Sequence, residues 1–349
     1  MRILALFLAG TISTVLTLIS CNTPNERQVE TYIASLSEVD DLKQRVNLLD
    51  IQEPYLLSFF STIQAAKGGL VLTPATSSSE IALLNLSHTD QQICCPTLSS
   101  LAVKGRGPGE VKGISSSTKS IFSDTLIFYS LIDAKFLLYN KNLRLIDEWL
   151  FSQRKLTISG NFAYGNRKLI IPTTPRSNNG YLLNIYDVGT GKSINAIPAR
   201  VPTGYQPAVR NSISAIAATP EYIVLAFVGD REFQVLNYAG KLVGKIRMGK
   251  NDPIGEPFQI QNPMHAPKGT EYIPKIEYYN RHLVVLYNTK LLLFEMRDFE
   301  LKKQLTFYSG GIEEEALKIS DFSIGDGLLY LRSGRSKLYK APINQFWKD

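Results

Sequence analysis

The chain has 349 residues, 44% hydrophobic and 20% charged, with 38 Lys and Arg against 31 Asp and Glu for a formal net charge of +7. That apolar fraction supports a sizeable packed core and excludes a disordered chain, while a dispersed basic excess with no run of five or more cations argues against nucleic-acid binding. Three cysteines and three histidines without metal-type spacing exclude a disulfide scaffold and a zinc module.

The first element is a short basic start at Arg2, an apolar run from Ile3 to Ile19, and then Leu18-Ile19-Ser20-Cys21. This pattern reads as a bacterial lipoprotein signal over residues 1–20, cut before Cys21, whose thiol takes the lipid. An uncleaved transmembrane anchor is the rival reading, but Thr11, Ser13, Thr14 and Thr17 dilute the run and the cysteine falls at its end. The expected address is therefore the cell envelope, on the outer membrane, with its periplasmic and surface faces both open. Residues 21–42 read as a polar tether with one short helix between Gln28 and Leu42.

Beyond residue 50 helical periodicity is almost absent, and short β-branched and aromatic runs recur between Gly, Pro, Asn and Asp turns. The clearest unit spans Ser117 to Trp149 and holds four antiparallel strands, the content of one propeller blade. The second strands of such units start at Leu70, Leu126, Leu169, Ile223, Leu283 and Leu328. The first unit reads Leu70–Leu72, Ile81–Leu86 and an outer strand at Gln92-Ile93-Cys94. The last unit has little room for a fourth strand, so a segment from Gln44 to Ile51 is expected to complete it. The predicted fold is all-β: a six-bladed β-propeller of four-stranded antiparallel blades over 43–349, closed by an N-terminal strand. A pair of β-sandwiches fits the repeating hairpin order less well.

Cys94 and Cys95 are adjacent and read as two reduced thiols near a strand end, on opposite faces. His88, His265 and His282 are isolated. Directly after the first unit comes Lys104-Gly105-Arg106-Gly107-Pro108-Gly109-Glu110. Together with the signal and the repeats, this segment resembles the TolB-like six-bladed β-propeller lipoprotein family of Bacteroidetes, which often carries Gly-x-Gly-Pro-Gly-Glu between its first two blades. The resemblance covers the mature chain in layout and rests on that one loop for sequence. It implies a fold and an envelope address, without a reaction. Physically, the glycines permit positive φ and Pro108 fixes one angle, which suits a rigid crossover. Its N–H groups also offer an anion nest beside Arg106.

Catalytic equipment is sparse. The chain has neither aspartate-box turns nor Gly-x-Ser-x-Gly, and the Gly-rich loop lacks the Lys-Ser or Lys-Thr of a phosphate loop. Lactonase-like six-bladed enzymes set carboxylates around a central cation, and Glu221, Glu277 and Asp321 fall near expected inner strands. Neither catalytic nor metal residues, nor any cofactor, are expected. The reading is a lipid-anchored binding or scaffold module for a protein, peptide or glycan, with no nucleic acid. Its alternative is a metal-dependent lactonase-like or glycan-processing hydrolase. Arg106, Arg210 and Lys275 are the expected binding residues, with Asn211, Tyr278 and Tyr279 beside them and the insertion from Gly249 to Thr270 over one rim.

Overall fold

The computed structural model describes residues 31–48, 60–74, 81–86, 88–89, 92–93, 97–102, 105, 107–111, 116–119, 125–130, 133–150, 156–158, 162–175, 181–199, 213–227, 231–249, 273, 275–309, 315–334 and 336–347. The strands follow the apolar runs. Leu126–Ser130 and Lys135–Tyr139 are buried at every position, because each sheet is packed against a neighbour on both faces. The outer strand of the same sheet, Leu145–Leu150, is exposed at five of its six positions. Burial on both faces explains why second and third strands read as unbroken apolar runs, whereas outer strands read as polar.

The described chain is all-β and its sheets are arranged as in a propeller. Six hydrophobic clusters fill the spaces between consecutive hairpin units: 60–102 with 116–150, then 156–199, 213–248, 275–309 and 319–342. One cluster joins Ile63, Leu70 and Leu84 to Tyr330 and Leu338, so the last unit packs on the first. The first strands of the units, Phe60–Ala66, Ser116–Lys119, Ala163–Gly165, Ile213–Ala218, Lys275–Tyr279 and Ile319–Gly325, touch one another in the same cyclic order.

Six separate blades are not found. Among the described residues there are four separate sheets of four or five strands and one continuous sheet of eight. The merger comes from Asp41–Leu48, which runs parallel to Leu301–Ser309 from Asp41 opposite Gln304 to Val46 opposite Ser309. The same strand then pairs antiparallel with Lys337–Pro342, placing Asn47 opposite Lys340 and Leu48 opposite Tyr339. The closing strand thus begins three residues earlier than Gln44, and it joins two units instead of completing one.

The 21–42 tether also needs correction. Thr31–Ala34 is a parallel fifth strand on Leu242–Met248, and the segment expected to be helical contributes only the 3-10 turn Leu36–Glu38. Gln304 Nε2 donates to the carbonyls of Leu36 and Val39 at 2.8 Å each, which fixes that turn against the outer strand. A third correction concerns the first unit. Its outer strand is Thr97–Ala102, paired with Ile81–Asn85, while Gln92-Ile93 forms a small hairpin with His88-Thr89. In Thr97–Ala102 the apolar residues Leu98, Leu101 and Ala102 are interrupted by the exposed pair Ser99-Ser100, so the strand gives no continuous apolar run. Residues 1–30, with Cys21, and both Cys94 and Cys95 lie outside the described residues.

Candidate functional site

An inner strand leaves one row of N–H groups facing the ring axis, and each buried donor needs an acceptor. Between the last and first units those acceptors are side chains. Ile63 N donates to Asp321 Oδ2 at 2.7 Å, Ala65 N to Ser323 Oγ at 2.9 Å, and Gly68 N to Asp326 Oδ2 at 3.4 Å. The two-residue spacing of Asp321 and Ser323 matches that of Ile63 and Ala65, as the strand period requires. Ile324 N similarly donates to Glu277 Oε2 at 3.1 Å.

Lys275 enters this seam from the neighbouring inner strand. Its Nζ lies 2.8 Å from Asp321 Oδ1, 2.9 Å from the Ile63 carbonyl and 3.3 Å from Glu277 Oε1. It also sits 5.5 Å from the centre of the Phe322 ring. One ammonium therefore bridges three units. Arg332, directly across the ladder from Asp321, is buried, which lowers its pKa while Asp321 partly restores it. Burial alone would lower the Lys275 pKa, but the carboxylates of Asp321 and Glu277 outweigh it and hold the amine charged.

Glu277 and Asp321 thus meet, as the lactonase comparison requires, around an ammonium. Glu221 lies elsewhere, exposed in the turn before Tyr222–Phe227, where it raises the Tyr222 hydroxyl after the larger effect of burial. No group of three or more His, Cys, Asp or Glu is placed to hold a metal ion among the described residues. Tyr278 packs into the cluster between the fourth and fifth units and Tyr279 into the next, as strand alternation dictates. His282 accepts from Trp347 Nε1 at 2.9 Å and ties down the end of the chain. Ser323 is not among the residues expected from sequence, and Lys275, an expected binding residue, lies in this seam. The usable signal was a first strand, Ile319–Gly325, carrying Asp and Ser amid apolar residues.

The glycine-rich loop is already filled by carboxylates. Gly107 N donates to Glu110 Oε2 at 2.7 Å, and Gly109 N to Glu148 Oε2 at 2.9 Å, while Lys135 Nζ reaches the Gly107 carbonyl at 3.3 Å. The nest is thus occupied from within, and the loop acts as a braced crossover. A Cβ on Gly105 would lie 1.9 Å from Glu110 Oε2, so a larger residue there displaces the carboxylate from the nest. Gly105→Ala and Glu110→Ala are each expected to cost about 1–2 kcal/mol. Urea denaturation of both variants checks this, and equal losses are expected because each removes the same carboxylate contact. Arg106 and Arg210 lie outside the described residues.

Alkaline pH probes the buried groups together. Burial pushes Tyr139, Tyr186 and Tyr330 up to about 12, with Glu148 adding to Tyr139 and Asp326 to Tyr330. The folded chain keeps these protons, and that of Lys275, after the unfolded chain has released them. Their stabilisation is therefore complete below about pH 10 and is lost as pH rises toward 12, on the order of 2–3 kcal/mol for each tyrosine. Circular dichroism is expected to show cooperative unfolding in that interval. Tyr139→Phe should move the midpoint upward.

No family profile matches the sequence, and no curated protein matches it. Solved structures are similar only loosely. An exported protein of Bacteroides fragilis shares 13% identity over 86% of this chain and 87% of its own, with a TM-score of 0.49. A chain of the mitotic checkpoint complex shares 8% over 82% of this chain and 90% of its own, at 0.48. PorZ, a surface component of the type-IX secretion system of Porphyromonas gingivalis, shares 9% over 81% of this chain, at 0.45. This chain spans 37% of PorZ's length. At these values neither family nor function follows. Among the described residues no helix is long and apolar enough to cross a membrane.

Proposed function

We propose that the chain is a lipid-anchored envelope module of the TolB-like propeller type that binds a protein, peptide or glycan and catalyses no reaction. In this reading the eight-stranded sheet is two blades joined through Asp41–Leu48, and Cys21 carries the anchor. The observation behind the proposal is the engagement of the inner-strand charges. Lys275 and Arg332 balance the charges of Glu277 and Asp321, and both carboxylates accept from backbone donors, which leaves them poor candidates for general acid–base or cation chemistry. Partner contact is assigned to the connections between units, where Arg106 and Arg210 fall by sequence.

Cross-linking in intact cells, comparing the native chain with Cys21→Ala, tests this reading. A reproducible envelope partner that is lost with Cys21→Ala is the expected result. Turnover of lactone or glycan substrates that is abolished by chelation would contradict it.

A further inference from the structure

Turns between first and second strands share a rim with turns between third and fourth strands. Val188 N donates to Arg167 O at 3.0 Å and Met296 N to Arg281 O at 3.1 Å, each bond linking the two turns of one unit. Three consecutive units give this rim exposed cations: Lys141 and Arg144, then Arg167 and Lys192, then Lys241. Among the described residues the acids in that sector are Glu221, Asp187 and Asp147; Asp187 is occupied with Thr190 N and Oγ1 at 2.9 and 3.0 Å, and Asp147 Oδ2 accepts from Trp149 Nε1 at 2.9 Å. The next unit mixes signs, setting Asp298 and Glu300 against Lys302.

Beside these cations stand two exposed isoleucines. Ile146 is 54% and Ile194 53% exposed. Both are the extra residue of a bulge at the start of an outer strand: Leu145 and Asp147 pair with Tyr139 and Leu138, and Ser193 and Asn195 with Tyr186 and Ile185. The corresponding Val243 of the next unit is packed into a cluster that includes Ala34 of the added strand. The chain reaches the ring at the same rim. Thr31–Ala34 runs parallel to Leu242–Met248, with Thr31 opposite Lys245 and Ala34 opposite Met248, so it enters from the side of the Lys241 turn. Nine residues lie between Cys21 and Thr31, and the ten Cα-to-Cα steps reach at most about 35 Å when fully extended.

We propose that this rim, centred on Lys141, Lys192 and Lys241 with Ile146 and Ile194, rests on the anionic phospholipid surface of the membrane. This proposal rests on the lipid-anchor reading of Cys21. Cations within a Debye length attract anionic headgroups, and apolar side chains between them enter the interface. The connections between units, with Gly107 beside Lys135 among them, then face away from the bilayer and toward a partner.

The test uses the processed chain from Cys21 to Asp349 carrying Cys21→Ser, so that no acyl group contributes, and phosphatidylcholine vesicles with and without 30% phosphatidylglycerol. Sedimentation at low salt should show binding only to the anionic vesicles, and 0.5 M NaCl should release it. Lys141→Glu/Lys192→Glu should weaken partitioning at least about 25-fold, and Ile146→Ser/Ile194→Ser on the order of tenfold. Lys318→Glu/Lys337→Glu makes the same change in net charge on the opposite rim and should leave binding within about twofold of the parent. No binding by the parent chain, equal weakening by both charge-reversed pairs, or unchanged binding by the Lys141/Lys192 pair would each overturn the proposal. Mass spectrometry of the native protein reads the acyl group on Cys21 separately. Its absence would remove the anchor while leaving the vesicle result to stand or fall on its own.

Discussion

Asp321→Ala is expected to lower stability by about 3–5 kcal/mol, because it leaves a buried backbone donor without its acceptor and takes from the Lys275 ammonium the nearer of its two carboxylates. Lys275 would lose its 2.8 Å partner and Ile63 N its 2.7 Å acceptor, both at the seam between the last and first units. Asp321→Asn retains an acceptor for Ile63 N but loses the charge, so it should recover part of the loss. Lys275→Met removes the ammonium and leaves Asp321 beside Arg332 and two backbone donors, Ile63 N and Phe322 N, so its cost should be the smaller one. Urea denaturation followed by tryptophan fluorescence measures all three. A loss under 1 kcal/mol for Asp321→Ala would show that the seam is held by the apolar cluster of Ile63, Leu70 and Tyr330 alone.

Deleting residues 31–48 is expected to have a larger effect still. Asp41–Leu48 pairs at six positions with one outer strand and at two with another, and Val46 is buried at 3% exposure in the cluster between the fifth and sixth units. At about 1 kcal/mol net for each ladder bond, the loss approaches the total stability of an ordinary domain, about 5–15 kcal/mol. Thr306 Oγ1 would also lose Asp41 Oδ1, and Gln304 its two carbonyl acceptors. The shortened chain should show no cooperative thermal transition by calorimetry. A two-state transition near that of the intact chain would mean that the ring closes without its N-terminal strands.

The fold was legible where burial is symmetrical. Ile223-Val224-Leu225-Ala226-Phe227 and Leu291-Leu292-Leu293-Phe294 are apolar without interruption because both faces of the sheet are covered, and both runs are strands. A closing N-terminal strand was legible too, since the last unit ends near Trp347 with three strands of its own. Thr97–Ala102 is not legible because the exposed Ser99-Ser100 pair interrupts its apolar residues. The joining of two units into one sheet was not legible either, as the pairing of Asp41–Leu48 on both edges depends on the ring being closed.

The charge cluster was hidden for the same reason. Lys275 and Asp321 are 46 positions apart, and Ile63 and Asp321 258 apart, so no local spacing announces them. Taken singly, Lys275 is an expected binding residue and Asp321 one of three carboxylates near expected inner strands. Brought together by ring closure, they neutralise each other. The Gly105 to Glu110 loop was read correctly as a crossover, and Glu110 was part of the signal all along, as the internal anion that fills the nest.

A double-mutant cycle on Lys275→Met and Asp321→Ala by urea denaturation, with and without added calcium or zinc, bears most directly on whether this cluster holds the ring together or serves chemistry. The structure predicts a coupling of at least about 1–2 kcal/mol, with the double variant costing less than the sum of the singles, and no stabilisation of the native chain by either metal. Additive losses within about 0.5 kcal/mol, together with a midpoint raised by metal in the native chain, would contradict it and return Glu277 and Asp321 to consideration as a cation site.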